Sequence, residues 1–148
     1  MRALFEGSQG LIETAEEFVR LRNSPDPREY RRAVMEEAPF QVWKEVVDRY
    51  PEERLWVAQN KTVPLAVLET LIDDPDIRVR VMVAMKRKLS PGLLERLAHD
   101  AHESIRMRVA RHRNTSRETL ESLRCDAWSE VRATVEDRLG GQADVSPP

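Results

Sequence analysis

Between Val57 and Arg80 the apolar residues fall into two phases. Leu65, Leu68, Leu71 and Ile72 recur at the three- and four-residue spacing of a single helix face, and Val79 and Val83, four apart, mark a second helix. Pro64 stands ahead of the first segment, and Asp74-Pro75-Asp76 separates the two. Moved by 26 residues, the pattern returns: Val83-Ala84, Leu94-Glu95, Leu97, Asp100 and Ile105-Arg106 occupy the same phases. Moved again, Val109-Ala110, Leu120-Glu121, Leu123, Asp126 and Val131-Arg132 follow. A fixed period of this length is the mark of a repeat architecture in which each unit is one supersecondary element.

The repeat extends towards the N-terminus in a looser form. Pro39 opens a unit whose first helix, Phe40 to Val47, lies over Leu65 to Ile72 at an offset of 25, and whose second helix, around Arg54-Leu55-Trp56-Val57, returns to 26. Before it, Thr14-Ala15-Glu16-Glu17 forms a capping box, the hydroxyl placed to accept from the third helical amide while Glu17 reaches back. Phe18 and Leu21 share one face of that helix; Asn23-Ser24-Pro25-Asp26-Pro27 stops it and starts a second, Arg28 to Glu37. Five units are expected, beginning near residues 13, 38, 63, 89 and 115, the last running out at Gly140-Gly141. Asp74, Asp100 and Asp126 are placed to cap the second helices, with Pro75 in a first helical position and Asp76 or Glu103 in the positive first turn. Pro64 and Pro91 suit the starts of first helices. Helices this short are marginal alone, so their stability must come from stacking. The expected organisation is a flexible arm over residues 1–12, a helical-repeat domain over 13–139 and a disordered tail over 140–148.

The run Val-Ala, Pro, Leu-Glu-x-Leu, Asp-Pro-Asp and Val-Arg resembles the leucine-rich-repeat variant proteins and, more broadly, HEAT-type α-solenoids, over residues 13–139. The resemblance implies an all-α, right-handed α-solenoid of about five two-helix repeats, with one concave and one convex surface, used mostly for binding. It also implies that one helix of each pair is sometimes a short 3₁₀ helix. The first two units depart from the pattern: Tyr30 stands where later units have Arg, and Glu53 where they have Val or Ile.

Composition changes this picture little. The 148 residues are 34% charged and 41% apolar, as in soluble proteins, and no stretch has the length and apolarity of a membrane span or a signal peptide. The cytoplasm is the expected compartment. A single cysteine, Cys125, permits no internal disulfide.

Charge distribution is more informative than the net charge of −2. Residues 1–76 sum to −6, residues 77–117 to +8 and residues 118–148 to −4, so a basic middle lies between acidic ends. The ladder Arg54, Arg80, Arg106 and Arg132 keeps the repeat spacing, as expected of guanidinium groups that bridge to a neighbouring unit's aspartate or to helix-end carbonyls. Lys86-Arg87-Lys88 and Arg111-His112-Arg113 fall at matching phases in the turns between units and form an expected basic rim.

Residues that vary from unit to unit are the better candidates for specificity. With Val79 and Val83 setting the core direction, positions 78, 81, 82 and 85 point away from it. The set is Leu55, Trp56 and Gln59; Arg78, Val81, Met82 and Met85; Ser104, Met107, Arg108 and Arg111; and Glu130, Ala133, Thr134 and Asp137. Trp, Met and Arg are residues that binding hot spots use. The expected partner-binding residues are therefore Trp56, Arg78, Met82, Met85, Lys86, Arg87, Lys88, Arg108, Arg111 and Arg113. A metal site is not expected, because His99 and His102 straddle a helix junction whose equivalents are Cys125 and Trp128. No phosphate loop or hydrolase motif occurs. The expectation is a non-catalytic module without cofactor, membrane or small-molecule substrate, which binds another protein bearing an acidic patch. It would be a bacterial adaptor, assembly factor or toxin inhibitor. The alternative is nucleic-acid binding by the basic residues 77–117, against which stand the acidic flanks and an aromatic content of 5%.

Overall fold

The computed structural model describes residues 10–140 and is all-helical, with ten α-helices among those residues. The chain divides into two compact units, Met1–Asp74 and Pro75–Pro148.

The first unit holds α1 (Ala15–Arg22), α2 (Pro27–Met35), α3 (Phe40–Arg49), a 3₁₀ turn at Pro51–Glu53, α4 (Arg54–Gln59) and α5 (Leu65–Leu71). Its start follows the capping box: Thr14 Oγ1 accepts from the Glu17 amide at 3.0 Å, and the Glu17 carboxylate accepts from the Glu13 amide at 3.0 Å. Asp26 caps α2 by accepting from the Arg28 amide, with Pro27 in the first helical position, where no backbone donor is missed. Pro39 and Pro64 precede α3 and α5 as N-caps. Helix α1 packs on α2 and α3, and α3 on α4 and α5. The core is built from Ile12, Ala15, Phe18, Leu21, Trp43, Val46, Val57 and Leu68, with the Phe18 and Trp43 rings edge to face at 5.2 Å. Residues 1–9 of the expected arm lie outside the described residues. Its last part is not loose: Ile12 is fully buried and its amide donates to the Glu37 carbonyl at 2.7 Å, so the ordered fold begins before Thr14.

The second unit holds α6 (Ile77–Ala84), α7 (Pro91–Leu97), α8 (Glu103–Arg111), α9 (Arg117–Ser122), a 3₁₀ turn at Leu123–Cys125 and α10 (Ser129–Gly140). Helix α8 is central, packing on α6, α7 and α10. Val79, Val83, Leu94, Leu97, Ile105, Val109, Leu120, Val131 and Val135, residues at the repeated apolar phases, close the core together with Leu89 and Leu139. The tail over 141–148 lies outside the described residues, while Gly140 still belongs to α10.

The repeated aspartates correct the sequence expectation. Asp76 caps α6 and His102 caps α8, each accepting from the amide two residues on; Pro75 lies outside the helix. Asp100 and Asp126 sit two residues too early to cap. Each instead turns one oxygen to the amide two residues ahead, that of His102 or Trp128, at 2.8 Å, and faces an arginine with its carboxylate. Arg54 reaches Asp74 at 3.3 Å, Arg80 reaches Asp100 at 2.8 Å and Arg106 reaches Asp126 at 2.7 Å, each 20 residues along the chain. The same guanidinium groups donate to backbone carbonyls: Arg54 to Val47, Arg80 to Pro75, and Arg106 to Asp100 and Ala101. Arg132 completes the ladder on the Asp126 carbonyl. The arginine ladder is therefore internal, as its constant spacing predicts.

Candidate functional site

The turns after α2, α6 and α8 are each tied down by a side-chain donor 24 to 28 residues further along the chain. Asn60, fully buried, donates to the carbonyls of Ala33 and Glu36 at 2.8 and 3.0 Å, capturing the end of α2. His112 does the same to Lys86 at 2.8 Å, and Arg138 to Ala110 and His112 at 2.6 and 2.9 Å. These donors share one repeat phase and satisfy helix-end carbonyls that have no partner within the helix. A carbonyl only accepts, so His112 carries its proton on Nε2, and its Nδ1 accepts from the Asn114 amide at 3.1 Å. Asn114 adds bonds to the carbonyls of Arg87 and Leu89. The expected rim is thereby assembled: the turns Lys86-Arg87-Lys88 and Arg111-His112-Arg113 lie side by side because His112 and Asn114 join them.

Next to this junction lies an open groove of about 420 Å³, lined by Ala84, Met85, Ser104, Met107, Arg108, Arg111, His112, Trp128 and Glu130. Arg108 and Arg111 sit one turn apart on α8 and are both exposed. Neither makes an ion pair or side-chain hydrogen bond among the described residues, in contrast to Arg80, Arg106 and Arg117, which hold Asp100, Asp126 and Glu121. Arg87 and Arg113 are likewise exposed and unpaired among the described residues. Desolvation lowers the Lys88 pKa below the usual lysine value. Met85 is 51% exposed, an unusual position for a large apolar side chain, and Met107 forms buried floor.

Of the expected site residues, Met85, Arg108 and Arg111 line the groove. Lys86, Arg87, Lys88 and Arg113 belong to the adjoining rim. Met107 is 7% exposed, so it does not point away from the core as position 107 predicts; its turn of α8 is overlaid by α10. Met82 is half-buried on α6 outside the groove lining. Arg78 is exposed but held by Asp76 at 2.7 Å, which lowers the Asp76 pKa through that side-chain bond. Trp56 lies in the first unit and is half-buried, with the Arg22 guanidinium stacked over its ring at 3.4 Å. One face of the ring is thus occupied from within the chain.

Trp128, Ser104, His112 and Glu130 were not among the expected binding residues, yet all line the groove. A signal for Trp128 was present. It holds the phase of His102, the residue that caps α8, and an indole there has no acceptor with which to cap a helix.

Elsewhere, α2 carries a shallow apolar face lined by Tyr30, Val34 and Met35 with Arg28 and Arg31. Glu53 is buried at the phase of Val79, with one oxygen accepting from Asn23 at 3.1 Å and the other without a partner among the described residues. Among the described residues no cluster of three or more metal-ligating side chains occurs, and none of their helices is long and apolar enough to cross a membrane.

Compared with family models, with curated proteins and with solved structures, the chain has no match.

Proposed function

We propose that this protein is a non-catalytic recognition module, an adaptor-like member of the leucine-rich-repeat-variant or HEAT-like class, built as a right-handed α-solenoid of five two-helix repeats. It binds another protein through its second-helix face and the adjoining basic rim, in the cytoplasm. The repeated Arg–Asp link at a spacing of 20 residues supports the repeat assignment, since one contact recurs in successive repeats. The observation that carries the binding assignment is the groove beside α8. There two unpaired arginines, an exposed methionine and a tryptophan converge on a surface made rigid by internal bonds. A pre-ordered surface loses little conformational entropy on association, and unpaired arginines steer an acidic partner.

The test is affinity capture with wild type and with Arg108→Glu, both checked by circular dichroism, followed by identification of the retained protein. Loss of a specific partner in the variant, with unchanged helicity, supports the reading. Capture that is indifferent to the substitution removes the groove from it. The same rim invites a nucleic-acid reading. Titration with duplex and single-stranded DNA at two salt concentrations separates the two, because phosphate binding weakens steeply with salt.

A further inference from the structure

The groove has an asymmetry that narrows its occupant. On one wall Arg108 and Arg111 present two unpaired guanidinium groups one helical turn apart, about 4.5 Å along the axis. Glu130 enters the lining from α10, and Ala84, Met85, Met107 and Trp128 supply its apolar surface. A volume of about 420 Å³ sits at the low end of the roughly 300–1,000 Å³ typical of ligand pockets, room for a few side chains of a segment.

Resting on the protein-binding reading, we infer that the groove takes a short acidic peptide segment with one apolar anchor. Two carboxylates within a helical turn of each other, or two residues apart in an extended chain, engage Arg108 and Arg111. A leucine-, methionine- or phenylalanine-type side chain packs on the apolar part of the lining, to which Met107 and Trp128 contribute. Guanidinium groups accept carboxylates through paired, charge-assisted hydrogen bonds, which gives this wall its preference for planar anions. Glu130 sets the polarity: an acidic residue on its side of the segment is repelled, so the carboxylates must lie on the α8 side. That carboxylate also makes the groove a poor track for a phosphodiester backbone, whose charge is uniform along its length.

The experiment uses the full chain and synthetic peptides of twelve residues: one of Asp and Glu with a central Leu, its Asn/Gln counterpart, and the acidic peptide with Leu replaced by Ser. A single-stranded DNA twelve-mer serves as the competing class. Binding is read by fluorescence anisotropy of labelled probes at low and physiological salt. The acidic Leu peptide is expected to bind at least tenfold more tightly than its Asn/Gln and Ser counterparts. Arg108→Glu and Arg111→Glu should each weaken it tenfold or more. Glu130→Gln should tighten it severalfold, a gain that a misfolded variant cannot produce. Equal binding of the acidic and amide peptides, insensitivity to Glu130→Gln, or tighter binding of the oligonucleotide overturns the assignment. So does the absence of peptide binding up to millimolar concentration. The broader reading fails separately, when the wild-type chain retains no specific protein in the affinity capture.

Discussion

The guanidinium of Arg106 holds both oxygens of Asp126, at 2.7 and 3.2 Å, and turns its remaining nitrogen to the carbonyls of Asp100 and Ala101. One side chain thus joins two turns through four bonds, with 4% of the aspartate side chain and 15% of the arginine's exposed. Removing a single partner leaves a desolvated charge. Asp126→Ala is expected to cost about 3 kcal/mol, the low end for breaking a buried pair because the arginine keeps some contact with water. Glu121→Ala, which ends an exposed pair with Arg117, should cost well under about 1 kcal/mol. Urea denaturation of both variants measures the contrast, and equal losses would contradict a structural role for the ladder.

The same contact carries a pH signature. The hydrogen bond from Arg106 lowers the Asp126 pKa below its ordinary value of 3.8 in the folded chain. A depressed folded pKa means that the unfolded chain binds the proton first as pH falls. The contribution is therefore complete above pH 3.8 and is lost as pH drops from there through the lowered value. Asp126→Asn should be less stable than wild type at neutral pH, and the gap should narrow on acidification through that window. A gap that stays constant from pH 6 to pH 2 would refute the linkage.

Asn60 and Asn114 provide a graded pair. Asn60 is fully buried; it donates to two carbonyls and accepts from the Thr62 amide and hydroxyl at 2.8 and 2.7 Å. Asn60→Ala strands several buried groups and should cost about 3 kcal/mol or more, at about 1–3 kcal/mol for each group left unsatisfied. Asn114 is half-buried, so water can replace its bonds, and Asn114→Ala should cost about 1 kcal/mol. Thermal melts of the two variants rank them.

Trp56→Ala should not behave as a clean surface substitution. Arg22 lies 3.4 Å above the ring, with its Nε buried and unpartnered among the described residues. Loss of this cation–π contact is expected to lower stability by about 1–2 kcal/mol. Arg22→Ala should shift the Trp56 emission. Unchanged melting and emission in both variants would show that the contact contributes nothing.

Much of the helical layout was legible in the chain. Leu68, Leu71, Val79 and Val83 and their equivalents lie in the core because their spacing leaves one face to bury, and Thr14 and Pro91 mark helix starts through local chemistry alone. Local pattern failed where two functions compete for one residue. Asp74 and Asp100 satisfy the composition of a cap, but arginines twenty residues earlier claim their carboxylates, and caps move to Asp76 and His102. Trp56 and Met107 satisfy the face rule, yet the angle around one helix says nothing about what covers it. Arg22 covers Trp56, and Met107 is 7% exposed on a helix that α10 packs against. The groove escaped notice because its lining comes from three segments distant in sequence, and Trp128 and His112 enter it from turns.

The twenty-residue reach of the arginines has a consequence for how such a chain can change. Excising residues 81–106 as one block would place Asp126 twenty positions after Arg80, where Asp100 stood, and would remove Asp100 and Arg106 together. Within the ladder, each remaining arginine would keep its twenty-residue spacing to an aspartate. A deletion across the ladder that is not a multiple of 26 residues puts the next carboxylate out of reach, so the genetic unit of lengthening and shortening is set by where one guanidinium finds its partner.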